Sequence, residues 1–131
     1  MIRHIKRYPF TLLIAVTICY LSFFKPPQTE LNQITNIDKF VHICMYCGFC
    51  TVMWFEHLRS HSSLSLGKVL LLAIVFPILM SGVIEYLQST LTDYRSFEWT
   101  DLLANSIGVV AAALLGFFVA RAFYAYDKKM L

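Results

Sequence analysis

Three short polar groups interrupt otherwise apolar stretches of this 131-residue chain. Asp38, Lys39 and His42 stand near the start of one stretch, Glu85 and Gln88 near the end of another, and Asp101 and Asn105 at the start of a third. Arg95 lies in the linker between the last two. Asp38 and His42 are four residues apart, Glu85 and Gln88 three, Asp101 and Asn105 four, so on a helix each pair shares a face. Such a set can do one of three things. Its cations can hold a phosphate or carboxylate, for which the guanidinium fork of Arg95 is best suited, with Lys39 and His42 beside it. In that case Glu85 and Asp101 orient the cations, and Gln88 and Asn105 supply neutral hydrogen bonds. A carboxyl taken out of water at Glu85 can instead act as a general base, with His42 sharing the proton. Or the polar pairs only pin helices together in an apolar medium.

The elements that position these residues follow from composition. The chain is 58% hydrophobic and 15% charged, with mean hydropathy +0.63 and formal net charge +3. Soluble domains are about 45–50% apolar and about 25% charged, so a soluble globular enzyme and a disordered chain are both excluded. No Lys/Arg stripe interleaved with stacking aromatics points to nucleic acid. Four cysteines in a long apolar chain do not read as a secreted disulfide scaffold. The expected class is all-α: a polytopic membrane protein forming one membrane domain over 1–131, with the lipid bilayer as its first partner. Four spans are predicted, from about Tyr8 to Phe24, Ile37 to Phe55, Gly67 to Leu91 and Asp101 to Tyr126. None shows the alternation of a barrel strand. The linkers are Lys25–Asn36, Glu56–Leu66 and Thr92–Thr100. The basic start (Arg3, Lys6, Arg7) resembles that of a signal peptide, but Ser22-Phe23-Phe24-Lys25-Pro26-Pro27 offers no small-x-small cleavage site, so the first span reads as a retained anchor. Pro77, inside the third span, predicts a packing kink.

Four spans put both termini and the middle linker on one side. That side carries Arg3, Lys6, Arg7, Arg59, Lys68, Arg121, Lys128 and Lys129; the other carries Lys25, Lys39 and Arg95. Cytoplasmic ends collect Lys and Arg, so both termini are predicted to be cytoplasmic. The three polar groups then meet at one depth, in a pocket open to the outer side. Glu85 is the deepest and needs a partner, with Arg95 preferred over Lys39 and His42. Gly108, Ala112 and Gly116, each four apart, form a small-residue stripe for close helix approach, within one chain or in a dimer.

Other signals carry less. Cys44, Cys47 and Cys50 read C-x-x-C-x-x-C, but that spacing drifts around a helix and no fourth ligand is near in sequence. His57 and His61, with Glu56, do not form H-E-x-x-H and read as a solvated or headgroup-level segment. Trp54, Tyr126 and Trp99 read as interfacial aromatics, and the run from Tyr124 to Lys129 as an end that touches anionic headgroups. No P-loop, G-x-G-x-x-G or nucleophile elbow occurs. No cofactor is expected, and no metal is assigned.

The strings Asp38-Lys39-x-x-His42-x-x-x-Tyr46, Gly82-x-x-Glu85-x-x-Gln88 and Arg95-x5-Asp101-x3-Asn105-x2-Gly108 resemble the VanZ-like family of small membrane proteins. The resemblance covers about 38–116. Asp93-Tyr94 stands where the family often has Pro-Gly, and Ala112 where it tends to have Gly. The family is named for a protein linked to teicoplanin resistance in bacteria. The resemblance therefore implies a multi-pass protein of the bacterial inner membrane with a role in the cell envelope or in glycopeptide resistance, and it implies no reaction. The leading expectation is an outward polar pocket that binds a lipid headgroup or a cell-wall intermediate. The alternatives are a hydrolase or transferase acting on a phosphate-bearing lipid or glycan carrier through Glu85, and a structural or assembly subunit.

Overall fold

A chain surrounded by hydrocarbon must satisfy its backbone hydrogen bonds within each segment, and every regular element among the described residues is helical. The computed structural model describes residues 6–25, 27–60 and 65–130, apart from the side chains of Asn32, Leu66 and 126–130. Arg3, His61 and the side chains of Tyr126, Lys128 and Lys129 thus lie outside what is described.

Helix α1 (Pro9–Phe23) opens with proline in its first turn, where the missing N–H costs nothing, and stops at extended Phe24. One 3-10 turn, Glu30–Gln33, follows. Asn36 takes φ 63°, the left-handed region that Asn tolerates, and its carbonyl accepts the Phe40 N–H at 3.1 Å to start α2 (Ile37–Ser60). Helix α3 (Leu66–Leu70) passes through one π turn (Leu71–Val75) into α4 (Phe76–Leu91). Pro77 is the cause of this irregularity. It has no N–H for the Ala73 carbonyl and its ring crowds that oxygen, so the turn before it widens. The predicted kink therefore takes the form of a π turn in a continuous rod. Helix α5 (Trp99–Met130) starts where the Glu98 carbonyl accepts the N–H groups of Asp101 and Leu102.

The rods run alternately up and down. At one end Ser60 bonds the carbonyl of Arg7; at the other Tyr94 bonds that of Phe23. Helices α2 and α5 form the central and most extensive interface, flanked by α1 on α2 and α4 on α5. The small-residue stripe makes that interface possible. A Cβ at Gly108 would lie 2.4 Å from the Ile43 carbonyl oxygen, and one at Gly116 would lie 2.4 Å from the Trp54 ring. Between them Tyr46, Phe49, Cys50 and Trp54 of α2 pack with Val109 and Ala112 of α5. The stripe is used within the chain.

Three expectations change. Gly67–Leu91 and Trp99–Ala125 are long and apolar enough to cross a membrane; the other two predicted spans do not meet both conditions. Helix α1 has 15 residues, a length of about 22 Å against a hydrocarbon core of about 30 Å. Helix α2 is long enough but carries Asp38, Lys39, His42, Glu56, His57 and Arg59. Glu56–Ser60, expected as linker, is helical, because buried Glu56 holds the start of α1. Trp54 is buried against Gly116 rather than set at an interface. Leu13, Val16, Leu79, Val83, Leu115 and Phe118 stand more than half exposed. An apolar exterior this wide suits lipid and is costly in water.

Candidate functional site

The start of α2, the end of α4 and the start of α5 meet at the end of the bundle where α1 finishes. Asp101 is the hub, 1% exposed, in the first turn of α5, where the helix dipole favours a carboxylate. Its Oδ1 bonds the Lys39 ammonium, and its Oδ2 takes the Arg95 guanidinium at 3.2 Å. Lys39 also reaches Glu98 at 2.8 Å and Asp38 Oδ2 at 3.4 Å. A second polar layer lies beside the hub. Asn105 Nδ2 donates to Ser81 Oγ at 2.7 Å, which leaves Asn105 Oδ1 to accept His42 Nδ1–H at 2.9 Å. These bonds tie α2, α4 and α5 at one level. They also fix the ring orientation of His42, whose Nε2 stands 3.7 Å from Asp38 Oδ1 and 3.8 Å from Asp101 Oδ2. Both separations are too long for a hydrogen bond.

Six of the eight residues singled out by spacing, Asp38, Lys39, His42, Arg95, Asp101 and Asn105, thus contact one another directly. Glu85 and Gln88 are each 2% exposed. The expected partner of Glu85 is not found: Arg95 and Lys39 both go to Asp101, and His42 goes to Asn105. Asp101 wins the cations because it follows Arg95 by only six residues and faces Lys39 across the α2–α5 contact. Among the described residues Glu85 takes no hydrogen bond or ion pair, though Asp101, His42, Arg95 and Asp38 act on it electrostatically. Gln88 turns to α1, where its Nε2 donates to the Ser22 carbonyl, and its Oε1 has no hydrogen-bond partner among the described residues.

Spacing missed Ser81 and Glu98. Ser81 precedes Glu85 by four residues and Gln88 by seven, so the period that placed the other two on one face also reaches it. Glu98 is an acidic residue just before a helix, a capping position. Beside the cluster a cleft of about 320 Å³ is lined by Lys25, Gln28, Asp38, Tyr94, Arg95, Ser96 and Glu98. At the opposite end Glu56 accepts the N–H groups of Phe10 (2.8 Å) and Thr11 (2.9 Å), and Tyr8 meets His57 Nδ1 at 3.0 Å, so Glu56 and His57 are structural rather than solvated. The cysteine triplet drifts from exposed Cys44 through Cys47 to buried Cys50.

No curated protein and no solved structure matches the chain. A family model does, over residues 3–121, and its description is VanZ/LLP1. The matched stretch takes in the three polar strings and also α1, which the resemblance over 38–116 left aside. With most of its length inside that match, the chain belongs to the VanZ/LLP1 family.

Proposed function

We propose that this is a four-pass protein of a bacterial inner membrane, a single domain with both termini cytoplasmic. Its cleft opens outward and binds the phosphate or carboxylate headgroup of an outer-leaflet lipid or lipid-linked cell-wall intermediate. The supporting observation is the placement of Arg95. It lines the cleft with Lys25 and contacts Asp101 through Nη2, which leaves other guanidinium N–H groups for an anion. The distribution of Lys and Arg supports the orientation. The ionisable groups of α2 cluster at its two ends, which leaves an apolar middle, and a short helix such as α1 is accommodated by local thinning of the bilayer. An envelope role follows from such a ligand, and altered teicoplanin susceptibility is its cellular readout.

The test is a photoreactive residue at position 96, in the wall of the cleft. In native membranes it should capture lipid-linked material, and Arg95→Ala should reduce that capture. Capture that is absent, or indifferent to Arg95→Ala, rejects the reading. The enzymatic reading has one observation in its favour, the buried carboxyl of Glu85 with no bonded partner among the described residues. It requires turnover of a phosphate-bearing lipid or glycan carrier, lost in Glu85→Gln with capture retained.

A further inference from the structure

Asp38 and Asp101 each divide their two carboxylate oxygens in the same way. Asp38 Oδ2 and Asp101 Oδ1 go to Lys39. Asp38 Oδ1 and Asp101 Oδ2, the second of which also accepts from Arg95 at 3.2 Å, lie 3.7 and 3.8 Å from His42 Nε2. The three ligand atoms lie within 4.8 Å of one another. Ligands bound about 2.1 Å from a common ion are at most about 4.2 Å apart, and the 3.7 and 3.8 Å from Nε2 to the two carboxylates fall within that limit. The imidazole is prepared for this. Its Nδ1–H is donated to Asn105 Oδ1, and Asn105 is fixed in turn by Ser81, which leaves Nε2 on the side of the two carboxylates. A ligating histidine is normally oriented by such an outer hydrogen bond.

Glu85 borders the same cluster. Glu85 is 2% exposed and without a bonded partner among the described residues, and the charges acting on it belong to this same cluster. Among the described residues the direct cationic partners of Asp38, Glu98 and Asp101 are Lys39 and Arg95, with Lys25 in the wall of the adjoining cleft.

We propose that Asp38, His42 and Asp101 form a binding site for a divalent transition-metal cation. Two carboxylates and an imidazole suit Mn2+ or Zn2+ better than Mg2+ or Ca2+, which prefer oxygen alone. The site stands independently of headgroup binding. Were a headgroup present, the ion would add a third cation beside Lys39 and Arg95.

The experiment uses the full chain purified in detergent, stripped with EDTA and given no lipid. Mn2+ is the probe, followed by electron paramagnetic resonance. One equivalent should bind, with Zn2+ displacing it, and the bound ion should show nitrogen modulation from an imidazole. His42→Gln should abolish that modulation. Asp38→Asn, a change at an exposed carboxylate that leaves the buried hub intact, should weaken Mn2+ binding about tenfold or more while helical content by circular dichroism stays that of the parent. No stoichiometric binding of either metal at millimolar concentration overturns the proposal, as does Mn2+ binding that neither substitution alters. Because no lipid is present, failure here is distinct from failure of headgroup capture at position 96.

Discussion

Asp101 neutralises two cations at once, whereas Glu85 neutralises none, so equivalent substitutions at the two should part company. Asp101→Asn leaves Lys39 and Arg95, both partly buried, facing an amide. The expected loss is about 3 kcal/mol, the low end for breaking a buried pair, because both cations keep some access to water. Glu85→Gln removes a carboxylate that bonds to nothing described, and its thermal midpoint should equal or exceed that of the parent. Melting the two variants in the same detergent, without added metal, checks this contrast. An equal loss in both would mean that Glu85 is held by a partner. The contrast also marks what a sequence can say about a site. The intervals from Asp38 to His42, Glu85 to Gln88 and Asp101 to Asn105 are properties of a helix and could be read without a fold. Which carboxylate receives Arg95 could not, since that depends on how close α2 and α4 approach the first turn of α5. Ser81 was legible in principle, on the face already identified, but a lone serine in an apolar run carries no charge to mark it.

At the scale of the helix, contact between α2 and α5 rests on the absence of a side chain at one position. A methyl group at Gly108 would meet the backbone of Ile43 and Cys47, which cannot move aside as a side chain would. Gly108→Ala should cost about 2 kcal/mol, as overpacking does. Gly48, exposed in the middle of α2, has nothing within 4 Å of its Cβ position. Gly48→Ala should therefore stabilise, by up to about 1 kcal/mol from helix propensity. Glu56 gives the corresponding test for α1. Its carboxylate holds two N–H groups of the first turn, and Glu56→Gln keeps one acceptor where two are needed. The loss of a buried acceptor is worth about 1–3 kcal/mol, and hydrogen exchange at Phe10 or Thr11 should quicken accordingly. Unchanged exchange at both amides would show that α1 is held by packing alone. Helix boundaries were largely legible, since Pro9, Asn36 and the Asp93–Glu98 segment punctuate the apolar runs. The last turn of α2 was not, because Glu-His-Leu-Arg reads as solvent-facing until α1 is docked above it. The π turn was equally hidden: Pro77 marks a broken hydrogen bond but not whether the rod bends or widens.

For the whole molecule the decisive quantity is direction. The ion cluster sits at the end of the bundle that holds the start of α2 and the α4–α5 linker, while Arg7 and Arg59 lie at the other end with Glu56. Fold and packing are the same whichever way this bundle faces, but the function is not. A cleft on the cytoplasmic side would meet soluble phosphates and inner-leaflet lipids, and the outer-leaflet ligand proposed here would be out of reach. Eight Lys and Arg residues against three argue for the outward orientation. A single cysteine can decide it, in a background where Cys19, Cys44, Cys47 and Cys50 are replaced. Ser96→Cys, in the wall of the cleft, should react with a membrane-impermeant maleimide on intact cells from which any outer barrier has been opened. Ser65→Cys, exposed at the opposite end of the bundle, should react only after lysis. The reverse pattern would invert the protein and remove the proposed ligand class, yet leave the divalent cation site intact, because that site depends on the distances among Asp38, His42 and Asp101 and not on the side of the membrane they face.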